Sequence, residues 1–504
     1  MTKTHRKWRA QMNGNILALL PVFIFMCTML AVSVILRKIN ARQESQGFVR
    51  EYFIGSRSLG GFVLAMTTVA TYSSVSSFVG GPGQAWSIGF GWIYMSVVQV
   101  TALFLVLGVL GKKMAIVARK IDAITVIDVI RHRYQSDALA GISAAIIVLF
   151  FSATMVAQFV GGAKLFEAVT GYSYLTGLTV FGLVVVLYTT VGGFRGVAIT
   201  DTVCAVVMLV GMFLLMGGVM KQGGGYANIM SNIAAAKPEM LEPFSGGNMP
   251  MSLYISQWLL VGIFTIALPQ SVVRNLSYKD TKSLHRAIII GTIVVGAMNI
   301  GMNFIGVLSQ GVLPEGLDAY GNSVDNIIPL AIARSMSPFW AGVTIIGPIA
   351  ASISTISSLL LSATSSIIKD VYLYEKEKRG AAVPEARAKT FSQLCSLILG
   401  LAIFAISINP PNVIWKINMF AFGGLESAFV WVFLMGMFWK KANKTGAICS
   451  MVGGTVVYCV CMLLGFKIGG IHQILIGVTV ALAAMVIGSY VGKKTDDKIL
   501  DVYF

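Results

Sequence analysis

Long apolar runs alternate with short polar connectors along the whole chain. Runs long enough to span a membrane cover 14–36, 59–80, 88–111, 138–165, 173–191, 197–220, 252–273, 285–312, 336–368, 390–408, 413–439, 446–465 and 471–491. A helix needs about 20 residues to cross a bilayer, so the pattern predicts an all-α polytopic membrane protein with about 13 transmembrane helices. The connectors after the first, third, seventh, ninth and eleventh runs carry most of the basic residues, among them Arg57, Lys112, Arg131, Arg274, Lys369 and Lys440. Basic loops favour the cytoplasm. An odd number of crossings then predicts an outside N-terminus and a cytoplasmic C-terminus in the plasma (inner) membrane. Lys3, Arg6, Lys7 and Arg9 precede the first run and oppose that placement.

One stretch breaks the apolar pattern. Residues 59–86 begin apolar, then carry Thr67, Thr68, Thr71, Tyr72, Ser73, Ser74, Ser76 and Ser77, and reach Gly80-Gly81-Pro82-Gly83. Irregular backbone inside a bilayer survives only where it lines a cavity. A short, interrupted, hydroxyl-rich membrane segment therefore points to a transport site, with the break expected at the glycines. The plainer reading is a helix whose small residues pack on a neighbour. A second hydroxyl cluster, Ser352, Ser354, Thr355, Ser357 and Ser358, follows Pro348 in a long apolar helix. Ser354 and Ser358 share a face, as do Ala351 and Thr355. Hydroxyls and freed carbonyls make an oxygen cage suited to a small hard cation. Such hydroxyls also commonly bond back to their own helix.

Composition agrees with the pattern. The 504 residues are 56% hydrophobic and 12% charged, with net charge +17, whereas soluble domains run near 25% charged. The positive charge sits in loops, so topology explains it and nucleic acid is not implied. The six cysteines all lie in apolar runs without metal-ligand spacing and read as small buried hydrophobes. No nucleophile–base pair, zinc site or phosphate loop is present, so no enzyme chemistry is implied. Connector 123–134 has helical amphipathic spacing and fits the inner membrane surface. The longer loops 221–251 and 313–335 each have room for a short helix. Asp201 opens an apolar run after Gly192-Gly193; it is either a solvated cap, gaining roughly 0.3–1 kcal/mol from the helix dipole, or a cation ligand.

Several motifs in order resemble the sodium/solute symporter family. They are Tyr52-Phe53-Ile54-Gly55-Ser56-Arg57-Ser58-Leu59-Gly60-Gly61, the hydroxyl run to Gly83, Gly192-Gly193-Phe194 with Thr200-Asp201, Ser354-Thr355 with Ser357-Ser358, and Ala421-Phe422-Gly423-Gly424-Leu425-Glu426. Leu268-Pro269, Arg274, Ser277-Tyr278-Lys279-Asp280 and His285-Arg286 are most similar to its pantothenate-transporting branch. The resemblance implies two inverted five-helix repeats whose first helices are broken. On this chain the implied division is 1–58 (an extra helix and cytoplasmic loop), 59–220 (first repeat), 221–251 (extracellular loop), 252–439 (second repeat) and 440–504 (two further helices and the tail).

The resemblance also implies a site. The main sodium would meet Ala70 and Ser73 at the first break, and Ala351, Ser354 and Thr355. Asp201 matches an acid linked in some members to a second sodium, and Arg57 matches an arginine important for coupling. Substrate contacts are not carried over from the resemblance; the polar residues themselves suggest Thr71, Tyr72, Ser74 and Ser77, opposite Gln99, Gln158 and Trp258. The implied activity is sodium-coupled import of a small organic anion, pantothenate above all, by alternating access. The expected partners are that solute, the co-transported sodium ion and membrane lipid, with no nucleic acid and no obligate protein partner. Another solute of the same family, or a non-transporting receptor or channel on the same fold, is the alternative.

Overall fold

A computed structural model describes residues 15–41, 48–409 and 414–504. Lys3, Arg6, Lys7, Arg9 and Arg42 lie outside these residues. The helices long or apolar enough to matter for topology are α1 (Ile16–Ala41), α2 (Gly61–Tyr72), α3 (Ser76–Ile88), α4 (Phe90–Lys120), α5 (Asp137–Thr170) and α6 (Tyr174–Gln222). They continue as α7 (Met251–Ala267), α8 (Pro269–Leu276), α9 (Thr281–Gly311), α10 (Pro338–Lys378), α11 (Glu385–Ser407), α12 (Ile414–Phe438), α13 (Lys444–Leu463) and α14 (Gln473–Val491). Among the described residues, β pairing is confined to two isolated bridges, Leu59 with Tyr278 and Ile468 with Ile471.

Among the described residues, ten helices are long and apolar enough to cross a membrane, and two bent pairs bring the number to 12. At 1.5 Å per residue, α6 would run about 73 Å, far beyond one bilayer. It turns at Gly193 (φ 60°, ψ −173°), a conformation that glycine adopts at little steric cost. A side chain there would also strike Tyr52. Divided at Gly193, α6 supplies two crossings, and the expected thirteen are reached. Short helices Tyr226–Ala236 and Ile327–Ser335 occupy the two longer loops. The amphipathic connector forms Val126–Tyr134, held by a reciprocal Thr125/Asp128 cap. It packs inward, with Arg133 buried and donating to the Gly436 carbonyl at 2.7 Å.

Both bent pairs open a long apolar stretch. α2 and α3 meet at 66°, α7 and α8 at 45°. The first break departs from the reading of the residue pattern, which put it at the glycines, and lies where the resemblance implied. It falls at Ser73, which is extended (φ −82°, ψ 107°), while Gly80 and Gly81 are helical. Pro82 lies inside α3, directly after a π-helical turn over Ser76–Gly80. The glycines serve close packing instead: a Cβ on Gly81 would press on Asn303, and one on Gly83 would overlap the Val324 backbone. The second break falls at Leu268 (φ −65°, ψ 116°), because the residue before Pro269 is pushed to extended backbone. The chain stays inside the protein after it, so Arg274 is buried and not in a loop.

The helices differ in how far they are enclosed. In the most apolar window of α10, 89% is buried, against 28% for α11. α10 therefore forms the centre, packed between α5 and α6, with α2 also against it. That explains how a helix so rich in serine and threonine is accommodated: its hydroxyls face protein, not lipid.

Candidate functional site

Where α2 ends, the carbonyls of its last turn lose their helical partners. One of them, Ala70 O, accepts from Ser354 Oγ of α10 at 3.0 Å. Ser354 Oγ also lies 3.1 Å from Ala351 O, and Thr355 Oγ1 donates to that same carbonyl at 2.9 Å. Ala70, Ala351, Ser354 and Thr355 thus bring two carbonyl and two hydroxyl oxygens together across two helices. All four residues are buried. Ser73 sits at the break, fully buried, and its hydroxyl has no hydrogen-bond partner. The cage is neutral, and hard-oxygen donors of this kind suit sodium rather than a soft metal. Among the described residues no group of His, Cys, Asp and Glu could hold a metal ion.

One helical turn away lies a charged cluster. Asp201 Oδ2 accepts from Thr67 Oγ1 at 2.8 Å, Arg274 Nη2 at 3.1 Å and Ser358 Oγ at 3.3 Å. Arg274 further donates to Thr67 Oγ1 (3.1 Å), Gln270 O (2.9 Å) and Ser358 Oγ (2.5 Å). The cluster ties α2, α6, α8 and α10 together, and both charges are buried. Asp201 is thus neither a solvated cap nor a bare cation ligand. Its charge is met by a guanidinium, and only Oδ1 lacks a partner. Nothing in the pattern of apolar runs pointed to Arg274 as that partner.

A cavity opens on the other side of the first break. Of the expected substrate contacts, Tyr72, Ser74, Ser77 and Gln99 line it. Thr71 does not: its hydroxyl bonds to Thr67 O and Ser358, on the ion-pair side. Gln158 does not either; its Oε1 accepts from Val75 N at 2.9 Å and so caps the first turn after the break. Trp258 is 39% exposed and packs on Tyr254 away from the cavity. The aromatic wall comes instead from Trp92 and Phe422. Ser76, named in the sequence only as part of the hydroxyl run, also lines the cavity, and so do Asn299, Asn303 and Asn418, which sequence reasoning missed. Ser76 Oγ, Asn299 Nδ2, Asn303 Oδ1 and Asn418 Oδ1 are buried without partners. Burying such groups unpaired is costly, which makes them candidates for contact with a ligand or water. The cavity holds about 30 Å³, far below the 300–1,000 Å³ or so of a ligand pocket. Arg57 lies apart from both sites. It donates to Ala118 O (3.2 Å) and Ala123 O (2.8 Å) and pairs with Asp122 at 3.8 Å.

Two bent helices, a neutral oxygen cage at the first bend and an adjoining polar cavity describe a transporter. The profile of the sodium:solute symporter family matches residues 52–454. The chain belongs to the sodium:solute symporter family. It is therefore a multi-pass membrane transporter and not an enzyme. The chain is similar to the sodium/pantothenate symporter of Haemophilus influenzae, with 37% identity over 492 residues, 96% of this chain and 98% of the relative. It is 38% identical to that of Escherichia coli over 486 residues, 94% and 96% of the two chains. The osmoregulated proline transporter OpuE of Bacillus subtilis is 28% identical over 459 residues, 88% of this chain and 90% of the relative. The fold matches a Na+-coupled sialic acid symporter in a substrate-bound outward-open state, with TM-score 0.77, 20% identity and 95% and 98% of the two chains covered. It also matches Mhp1, a nucleobase-cation-symport-1 family transporter, with TM-score 0.55, 13% identity and 90% and 97% covered.

Proposed function

We propose that this protein imports pantothenate into the cell together with sodium by alternating access. The observation that carries the reading is the shared break: the Ala70 carbonyl of the cage and the Ser74, Ser76 and Ser77 wall of the cavity flank the same bend. A cation that fixes this bend also fixes the wall, so sodium and solute each favour the binding-competent form. The coupling is mutual, each tightening the other by the same factor. Near-full-length similarity to two sodium/pantothenate symporters supports the choice of solute. The solute's amide and hydroxyls meet Asn299, Asn303, Asn418 and Gln99, and its carboxylate meets the hydroxyls after the break. Ala70, Ala351, Ser354, Thr355 and Ser73 hold the sodium. Arg57 acts on coupling at a distance, by anchoring the segment before α2 to the turn at Ala118–Ala123.

The bends at Ser73 and Leu268 support inverted repeats over 59–220 and 252–439, with 1–58 before them, 221–251 between them and 440–504 after. Basic connectors support a cytoplasmic C-terminus and an outside N-terminus in the plasma membrane. Stoichiometry turns on Asp201. One sodium with a monovalent anion moves no net charge, whereas a second would carry one, worth about 2.3 kcal/mol per 100 mV. Because Arg274 occupies Oδ2, a second sodium at Asp201 would bind through Oδ1.

The test is uptake of labelled pantothenate into proteoliposomes under an inward sodium gradient or an equal potassium gradient. Accumulation above equilibrium with sodium alone is expected. No uptake in either overturns the pantothenate assignment, and equal uptake in both overturns the sodium coupling.

A further inference from the structure

The hydroxyl face of α10 does not stop at the sodium cage. Ser354, Ser358, Ser362 and Ser366 follow at four-residue steps, which places them on one helix face. At 1.5 Å per residue they span about 18 Å. Ser362 and Ser366 donate to the carbonyls of Ser358 and Ser362, at 2.9 and 3.1 Å, which leaves their oxygen lone pairs free. Both line a small cavity with Ser365, Thr125 and Asp370, closed on its other sides by rings such as Phe53 and Phe151.

Asp370 is the second observation, independent of the stripe. It is 1% exposed. Its Oδ1 accepts from Thr125 Oγ1 at 2.5 Å, but Oδ2 has no partner, and neither has the hydroxyl of Ser365 beside it. The nearby cations Lys369 and Arg131 attract Asp370 through space but make their ion pairs with other acids. Lys369 pairs with Asp128 at 3.1 Å, and Arg131 lies 3.6 Å from Asp128 and 3.4 Å from Asp137. Arg131 reaches only the backbone oxygen of Asp370, at 2.6 Å. A buried carboxylate oxygen left without a hydrogen-bond partner is costly. Hydroxyls and a carboxylate around about 20 Å³ of space, room for one small ion, fit a desolvated alkali cation.

We propose that Asp370, with Thr125, Ser365 and Ser366, forms a second cation site: a release station for sodium leaving the cage toward the face that carries the basic loops. The inference rests on the sodium-symport reading. Sodium moves down the serine face past the Asp201–Arg274 pair, which spans four helices and stays in place. Asp370 holds the ion until that end of the protein opens.

The experiment uses right-side-out membrane vesicles loaded with graded sodium, measuring labelled pantothenate uptake against external sodium. For Asp370→Asn the internal sodium that halves uptake is expected to rise about ten-fold, as for loss of a charged ligand, with external half-saturation unchanged. Ser366→Ala is expected to raise the internal value about three-fold, as for a neutral ligand. A purely structural Asp370 would shift internal and external values together, and that result overturns the proposal. So does a wild-type internal value in both variants. Should Asp370→Asn fail to reach the membrane, unchanged internal values in Ser366→Ala and Ser365→Ala overturn it alone. Wild-type vesicles without sodium-driven uptake would instead refute the symport reading, and the inference with it.

Discussion

The neutral cage and the charged cluster use the same two helices one turn apart, yet they are built for opposite tasks. Ala70 and Ser354 meet through a single hydroxyl-to-carbonyl bond. Thr67 and Ser358 meet through a carboxylate and a guanidinium that hold each other. A cation entering the cage disturbs one neutral bond, typically worth about 1 kcal/mol net. A cation entering the cluster must share or break a buried ion pair. Weak, adjustable contacts of this kind suit the proposed role, a place where an ion comes and goes. The paired charges mark the joint that keeps α2, α6, α8 and α10 in register while it does so.

The most forceful way to break this contrast is to remove one charge. Arg274→Met should cost about 3–5 kcal/mol, because it strands a buried carboxylate. Thermal unfolding of the purified protein reads the loss, and the double variant Arg274→Met, Asp201→Leu should recover most of it. A single variant as stable as wild type would mean the pair is not the joint. Ser354→Ala probes the other side. It should raise the sodium needed for half-maximal uptake about ten-fold, in the range for a hydrogen-bonding group facing a charge, with little change in melting temperature. Equal stability losses for Ser354→Ala and Arg274→Met would erase the distinction.

Two smaller effects sharpen it. Asn303→Ala should raise the solute concentration for half-maximal uptake about ten-fold, by leaving a polar group of the solute unpaired. Sodium binding in the absence of solute should not change. Trp258→Ala should alter neither half-saturation value by more than about two-fold, as for a surface position. A larger effect from Trp258 would put the solute on the wrong wall of the cavity.

These pairs also show what the amino-acid order reveals. That Ser354 and Thr355 are buried against the α2 bend was readable, because hydroxyls crowd a helix that has no lipid-facing use for them. The crossing count was readable because apolar runs are long. Arg274 was hidden: it ends an apolar run and resembles the first residue of a basic loop. Only the bend at Leu268-Pro269 shows that the chain stays buried past that point. Asn299 and Asn303 stand four apart in an apolar run, a one-face signal that was available and passed over. Thr71, Gln158 and Trp258 were misplaced for a common reason. Polarity marks a residue as needing a partner, but the neighbouring helices decide whether that partner is a solute, a backbone amide or a hydroxyl. Gly80 to Gly83 was mistaken for the break because glycine serves both bends and close packing, and here Asn303 and Val324 press against it.

The coupling through the Ser73 bend is tested most directly by equilibrium binding of labelled pantothenate to the purified protein. The comparison is sodium against potassium, for wild type and Ser354→Ala. Wild type should bind at least about ten-fold tighter in sodium, a coupling of about 1.4 kcal/mol, and Ser354→Ala should lose most of that difference. Equal affinity in both salts, or an undiminished sodium effect in Ser354→Ala, would contradict the account.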